Sequence, residues 1–312
     1  MKKLLALVLV AIMALGMVQL AVAEEPIKVG VCIYKYDDNF MTLYRTELEN
    51  YLKEKGCEVT VVDGKGDQNE QTNQVNAFIA EGVDVLIVNL VQSTSAAAVT
   101  ALAQAADIPV VYINREPSAE DMQQWEKICY VGADARQSGT MQGQIIYDAP
   151  EHGDINGNGT VDYVMIMGDP ENVDAQYRTE FSIKLLTDNG VAVNKLFEQR
   201  GDWAQEKGQE LAATALAQFG DQIDVIFCNN DAMALGALQA VKAAGRTVGK
   251  DIYLVGVDAL DEAVELVNAG EMTGTVLNDH IGQSHKAADV AIEVAGGAIP
   301  EKNYTVDYVM VK

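Results

Sequence analysis

Short runs of apolar residues alternate with longer stretches of helical spacing from one end of the chain to the other. Ile27–Tyr34 (IKVGVCIY) reads as a buried strand, and NFMTLYRTELENYLKEKG places its apolar residues at helical spacing and stops at Gly56. CEVTVVDG, an Asn/Gln-rich helical stretch, VDVLIVNL, the Ala-rich TSAAAVTALAQAA and IPVVYINR continue the alternation. A strand that is apolar throughout is buried on both faces, as in a parallel sheet. Alternation with helices therefore predicts βαβ units and a doubly wound sheet. After CYVGAD (Cys129–Asp134) the pattern restarts with VDYVMIMGD, VAVNKLFEQ, QIDVIFCNND, DIYLVGVDA and MTGTVLN, each separated by a helix. Two series predict two α/β domains, which suits 312 residues. No long Pro/Gly/Ser linker separates them, so the crossings between them are short.

The first residues stand apart from this pattern. Lys2 and Lys3 precede an apolar run from Leu4 to Val18, closed by Ala21-Val22-Ala23. That order matches the charged, apolar and small-residue regions of a secretory signal peptide. The run is short of the ~20 residues of a membrane span, and residues 1–23 are excluded from the predicted fold. Composition narrows the partners. With 46 Asp and Glu against 22 Lys and Arg, the net charge is −24, which disfavours nucleic acid and anionic membranes. The four cysteines fit no zinc spacing. Export permits disulfides, and Cys32 and Cys57 fall on predicted neighbouring strands. Against a bridge, three of the four sit in or beside apolar strands, where Cys acts as a small hydrophobe.

Ligands of open α/β sheets sit outside the carboxyl ends of the strands. Here those ends are repeatedly polar: YKYDDNF, NREP, GDPENVDAQYR, CNND and VDA. Any one of them reads equally well as a helix N-cap; five facing one crevice read as a binding site. Planar Asp, Asn and Arg groups suit a ligand dense in hydroxyls, each of which donates and accepts. Phe40 and Trp203 lie near the same ends, as plates for the C–H faces of a pyranose or as ordinary core aromatics. Asp174 and Arg178 are four apart and share a helix face. Enzyme motifs are missing: no G-x-S-x-G elbow, no G-x-G-x-x-G after the first strand and no G-x-x-x-x-G-K occurs. His152, His280 and His285 lack the neighbours of a general base. A binding protein is expected rather than an enzyme.

One further stretch, GDINGNGTVD (Gly153–Asp162), follows an EF-hand through most of its length. Asp154, Asn156, Asn158, the Thr160 carbonyl and Asp162 occupy positions one, three, five, seven and nine, and Gly159 occupies the sharp turn at six. Position twelve, where a bidentate Glu belongs, is Met165.

Six motifs in order, IYKYDDNF, INREP, DPENVDAQYRT, NNDAMALGAL, GVDAL and GTVLND, together with this loop, resemble the periplasmic galactose/glucose-binding protein family. The resemblance runs from about Ile27 to the C-terminus. It implies a type I periplasmic binding protein, two Rossmann-like lobes joined by a hinge: 24–131 plus 279–308, and 132–278 plus 309–312. It implies a monomeric periplasmic receptor for a galactose- or glucose-type hexose, feeding an ABC importer and a chemotaxis receptor, with no nucleic acid partner. Carried over, the sugar contacts are Asp38, Asn114, Asp174, Arg178, Asn230, Asp258 and Asn278, with Phe40 and Trp203 on either side of the ring. Asn172 stands where the family carries His. Tyr177 replaces a small residue, and either crowds the cleft or packs outside it. The resemblance also completes a structural Ca2+ site, with Asp224 in place of a remote Glu. Asp is one methylene shorter, and Asn158 stands where relatives often place Asp, so the site loses reach and charge. A receptor for a pentose or modified sugar is the alternative on the same fold. The sugar-sensing core of a transcription regulator shares the fold but would need a DNA-binding N-terminus in place of the export signal.

Overall fold

The computed structural model describes residues 25–312, so the expected export signal lies outside the described residues. The first series runs β1 (Lys28–Ile33), α1 (Asn39–Glu54), β2 (Glu58–Asp63), α2 (Gln68–Glu81), β3 (Val85–Val88), α3 (Ala96–Ala105), β4 (Val110–Ile113) and β5 (Ile128–Gly132). Its strands are parallel in the order β2-β1-β3-β4-β5. β1 explains the unbroken apolar run. Val29, Val31 and Ile33 cluster with Tyr44, Leu48 and Leu52 of α1, while Cys32 joins Phe78, Leu86 and Val88 on the opposite side. Helices cover both faces, as a parallel sheet requires.

The second series begins with α4 (Ala135–Tyr147) and continues through β6 (Val161–Met167), α5 (Val173–Asp188), β7 (Val193–Arg200), α6 (Gln205–Phe219), β8 (Val225–Cys228), α7 (Asp231–Ala243), β9 (Tyr253–Val255) and α8 (Asp261–Asn268). The order β7-β6-β8-β9 repeats that of the first sheet. β10 (Thr275–Leu277) lies beside it through the bridges Val255–Gly274 and Asp258–Leu277. The chain then returns to the first sheet. α9 (His280–Ala295) packs with α1, and β11 (Asn303–Thr305) pairs with β5. Finally β12 (Val309–Val311) pairs antiparallel with β10. The chain thus crosses between the two sheets after Gly132, at Asn278–Asp279 and between β11 and β12. At the first crossing a Cβ on Gly132 would lie 2.1 Å from the Tyr130 hydroxyl, so only glycine leaves room for that ring.

Each sheet reverses its strand order once, between β1 and β3 and between β6 and β8. Such switch points open a crevice at the carboxyl ends of the strands. The reading against a Cys32–Cys57 bridge holds: all four cysteines are free. Cys32 pairs in register with Val62, while Cys57 precedes Glu58, which pairs with Lys28. Five residues of strand separate the two levels, roughly 16 Å at 3.3 Å each, and a disulfide spans less than about 7 Å. No described helix is long and apolar enough to cross a membrane.

Candidate ligand-binding site

The polar strand ends cap helices and face a cleft at the same time. Asp38 caps α1, accepting from the Met41 N–H at 2.7 Å, and its other oxygen accepts from the Tyr34 hydroxyl at 2.6 Å. Asn172 caps α5 through its Oδ1, which accepts from the Asp174 N–H at 3.1 Å and leaves its amide NH2 to donate elsewhere. Asn230 caps α7, accepting from the Met233 N–H at 3.0 Å, while its NH2 donates to the Trp203 carbonyl at 3.2 Å. The N-cap and binding-site interpretations of these turns are therefore not rivals, since a side-chain amide or carboxylate has valence for both.

All ten residues singled out from the sequence line one cavity: Asp38, Phe40, Asn114, Asn172, Asp174, Arg178, Trp203, Asn230, Asp258 and Asn278. Tyr34, Met41 and Arg115 complete it. The cavity is a slot of about 340 Å3 between the sheets. Two buried asparagines at the switch points frame it. Asn89, after β3, accepts from the Tyr34 N–H and donates to the Ile113 carbonyl and the Asn114 side chain. Asn229, after β8, accepts from the Gly168 N–H at 3.0 Å. Gly168 must be glycine, because a Cβ there would lie 2.2 Å from the Trp203 indole. Asn114, Trp203 and Asp258 have φ of +60°, +67° and +123°. Left-handed backbone at non-glycine residues is costly and clusters at functional sites.

Arg178 is the hub of the cleft. It is 3% exposed and Asp174 4%, so their pair, 3.8 Å apart, is buried rather than a surface contact. The guanidinium donates to the Asn229 carbonyl at 2.8 Å and to the Tyr308 hydroxyl at 3.0 Å, while its buried Nε has no partner. Burial works against its charge, but Tyr308, Asp258 and Asp174 outweigh burial and raise its pKa. Burial pushes the Asp174 carboxyl up to about 6, Arg178 opposing and Glu116 adding to the rise. Burial likewise holds Asp258 well above the carboxylate range, against the pull of Arg178. Asp258 accepts from the Asn278 amide at 3.2 Å, and Asn278 accepts from Gln283 at 2.6 Å. A second ion pair spans the cleft: Arg115, 3% exposed, lies 3.6 Å from Asp169, which also meets Arg200 at 3.4 Å. The Arg115 guanidinium sits 3.9 Å from the centre of the Tyr34 ring and donates to the Val91 carbonyl at 2.5 Å.

Sequence reasoning missed Arg115, Tyr34, Met41, Asn89, Asn229 and Tyr308. Arg115 and Tyr34 stood inside quoted motifs and carried a signal; Tyr308 comes from the return after β11 and carried none. Tyr177 packs outside the cleft, beneath the Arg136 guanidinium at 3.8 Å and against Phe181 at 6.2 Å. His285 bonds Glu47 and stacks on Tyr51, away from the slot.

The loop joining α4 to β6 is wound tightly on itself. The Asp154 carboxylate accepts from the N–H groups of Gly157, Asn158 and Gly159. Asn156 accepts from the Asn158 N–H and Asn158 from the Thr160 N–H. Asp224 comes from beside β8, as expected, but spends one oxygen on the Asn156 N–H at 3.0 Å and the other on the Asp162 N–H at 2.8 Å. Asn158 turns its NH2 onto Asp162 at 2.7 Å. Burial raises the Asp224 pKa, two backbone N–H groups oppose the rise, and Asp154 and Asp162 add to it. Repulsion among these three carboxylates is what a cation would relieve. Among the described residues no three His, Cys, Asp or Glu side chains stand close enough to hold a metal by themselves. Amide and carbonyl oxygens would have to supply the remaining ligands.

A two-lobed α/β fold with a polar, aromatic-flanked slot between its sheets defines a solute receptor of the periplasmic binding protein class. The chain belongs to that family: the model of the periplasmic binding protein domain matches residues 29–299. Membership places it outside the cytoplasm. The chain is 37% identical over 289 residues to the D-galactose/methyl-galactoside binding periplasmic protein of Haemophilus influenzae, covering 91% of this chain and 86% of that one. It is 33% identical over 305 residues to a putative rhizopine-binding protein of Rhizobium meliloti, covering 97% and 95%. A solved ABC transporter solute binding protein from Bacillus halodurans with bound myo-inositol superposes with a TM-score of 0.81 at 26% identity, covering 92% of this chain and 94% of that one. These relatives are named as binding proteins, in line with the expectation of a receptor rather than an enzyme.

Proposed function

We propose that this protein is a periplasmic receptor for a neutral hexose of the galactose or glucose type, which it delivers to an ABC importer. The observation that carries this assignment is the unspent hydrogen-bonding capacity of the slot. Arg178, Asp174, Asn172 and Asn114 line one cavity with Phe40 and Trp203; the buried Arg178 Nε has no partner, and the Asn172 amide NH2 is left over from the cap. A sugar hydroxyl offers both a donor and an acceptor to such groups. The 37% identical relative named for galactose and methyl-galactoside supports the class of ligand.

Binding proceeds without a bond made or broken. The sugar meets one lobe first, and the other closes over it by motion at the three crossings. Closure dehydrates the polar contacts and strengthens them, and the ligand shifts an open–closed equilibrium by its preference for the closed form. The importer, and a chemotaxis receptor where one is present, reads the closed outer surface of a monomer. Asp154, Asn156, Asn158, Thr160, Asp162 and Asp224 hold a structural Ca2+ that neutralises the loop and takes no part in sugar contact. With an Asp at the remote position and Asn158 in the loop, its affinity is low.

A second sugar class has one specific observation behind it. Asn172 spends its oxygen on the cap and keeps only donors, so it meets an oxygen of the ligand that accepts, whichever ring carries it. Relatives named for rhizopine and found with myo-inositol fit that broader class. Isothermal titration of the chain with galactose, glucose, ribose, xylose and myo-inositol separates the two. Saturable hexose binding in the micromolar range supports the assignment; a pentose or cyclitol binding tenfold more tightly replaces it.

A further inference from the structure

Two hydrogen bonds set the plane of the Arg178 guanidinium. One terminal nitrogen donates to the Asn229 carbonyl at 2.8 Å, and the other donates to the Tyr308 hydroxyl at 3.0 Å. A guanidinium is a rigid planar fork, so bonds at both terminal nitrogens fix its orientation and, with it, the direction of the unpartnered Nε. Arg178 lines the slot, whereas Tyr308 stands behind it. The two bonds differ in origin. Asn229 follows β8 in the body of the second lobe. Tyr308 belongs to the crossing that joins β11 to β12, and its seat is tied to the first crossing as well. Its N–H donates to the side-chain carbonyl of Gln137, on α4, at 2.7 Å, and the Val306 N–H donates to the Gly132 carbonyl at 2.9 Å. The buried ring clusters with Ala133, Ile145 and Val276. Burial pushes the phenol up to about 12 against the pull of Arg178, so the hydroxyl stays neutral and keeps its lone pairs for the guanidinium.

From this we infer that Tyr308 is a positioning residue for sugar recognition: from the third crossing it holds the Arg178 guanidinium in the plane in which its free donors meet particular oxygens of the ligand. The inference rests on the sugar assignment above. Charge alone does not call for this hydroxyl, since Asp174 and Asp258 already supply the opposite charge. Their attraction has little direction. Asp174 lies 3.8 Å away, beyond hydrogen-bond length. A neutral acceptor adds direction without adding charge. With the hydroxyl gone, one bond to Asn229 remains, and the fork swivels about it. The segment that joins the lobes thus also aims the donor that grips the sugar, and loosening the seat of that segment at Gln137 should blur the aim even with the hydroxyl in place.

The test is isothermal titration of the full chain with galactose, glucose and the monodeoxy and carba analogues of each, so that every ligand oxygen is deleted in turn. Wild type should lose most affinity for the analogues that lack an oxygen met by Arg178. Tyr308→Phe should bind the parent hexose about tenfold more weakly, as for a lost hydrogen bond to a charged group. The penalty for deleting those same oxygens should shrink by about the same factor, and the penalties at the other oxygens should stay as in wild type. Gln137→Met, which removes the acceptor of the Tyr308 N–H, should weaken the parent by about threefold with the same pattern. It decides the matter should Tyr308→Phe fail to melt cooperatively. A loss spread evenly over all analogues, which a merely structural role would give, overturns the inference. Wild-type affinity in Tyr308→Phe overturns it too. Hexose binding by wild type with either of these results leaves the sugar assignment standing, whereas a wild-type chain that binds no hexose overturns that assignment and the positioning role with it.

Discussion

Asp and Asn crowd two regions of this molecule, the cleft between the sheets and the loop over 154–162; Asp38 and Asn230 of the cleft are as fully spent as the loop, whereas the residues at the start of α5 are not. In the loop, both oxygens of Asp154, Asp162 and Asp224 accept from groups of the loop and its immediate neighbours. In the cleft, Asn172 caps its helix with one atom and presents the rest of its amide, Asp174 meets only Arg178 at 3.8 Å, and the Arg178 Nε has no partner. Residue type alone does not separate a structural turn from a binding surface. The capacity left after the backbone has been served does.

That contrast breaks most severely at Arg178. Arg178→Ala strands Asp174 and Asp258 in a buried site, and removing one partner of a buried pair costs about 3–5 kcal/mol. Sugar affinity should fall by at least about 100-fold in a calorimetric titration, and Arg178→Lys should not restore it, because a point charge cannot replace three separate donors. Asp38→Ala comes next. It removes an acceptor from the slot, a cap from α1 and a partner from Tyr34. Affinity should drop by more than about 1 kcal/mol; wild-type affinity would remove Asp38 from the site.

The buried acids sharpen the comparison through pH. Asp174 and Asp231 are pushed by burial from 3.8 up to about 6. Both therefore hold protons more tightly folded than unfolded. Their stabilising share is full below about pH 4 and is lost as pH rises through 6. Asp174→Asn is neutral at every pH and lacks the Arg178 ion pair at every pH, so whatever that loss costs at pH 4, the variant should gain roughly 1–3 kcal/mol on wild type between pH 4 and above pH 6. Thermal melts of the sugar-free proteins across that range measure it, and a gap independent of pH would contradict the shift.

Smaller effects are expected at the edges. Asp169→Asn cuts the Arg115 pair across the cleft but leaves Arg115 its Tyr34 and Val91 contacts. Sugar should bind about threefold more weakly, as for a partly exposed pair, and wild type should approach the variant at high salt. The smallest effect belongs to the loop. Chelation should lower the melting temperature by only a few degrees and leave sugar affinity unchanged, since the loop already satisfies most of its own polar groups. A loss of sugar binding on chelation would erase the distinction between the two regions.

The alternation of apolar strands and helices was legible because parallel sheets bury both faces, and it gave both series of β1–β9 without reference to distant contacts. The polar strand ends marked the slot, and the family resemblance picked out Asp38, Asn114, Asn230 and Asp258 on those turns and Asp174 in the first turn of α5. Arg115, Tyr34, Asn89 and Asn229 escaped although they stand at strand ends, and Tyr308 escaped because it depends on a return across the molecule. Tyr308 reaches Arg178 from the last crossing, and no local pattern marks it. The direction of Tyr177 and the reach of Asp224 depend on side-chain geometry, and Cys57 reads as a strand residue although the register puts it one step outside β2.

The most direct test of the central claim is a fluorescence titration in a Trp125→Phe background, where Trp203 is the one indole left. Galactose or glucose should produce a saturable change in Trp203 emission, abolished by Arg178→Ala and preserved after chelation of calcium. A flat Trp203 signal with every neutral sugar, in a chain that melts cooperatively, would contradict the account of the slot as a hexose receptor.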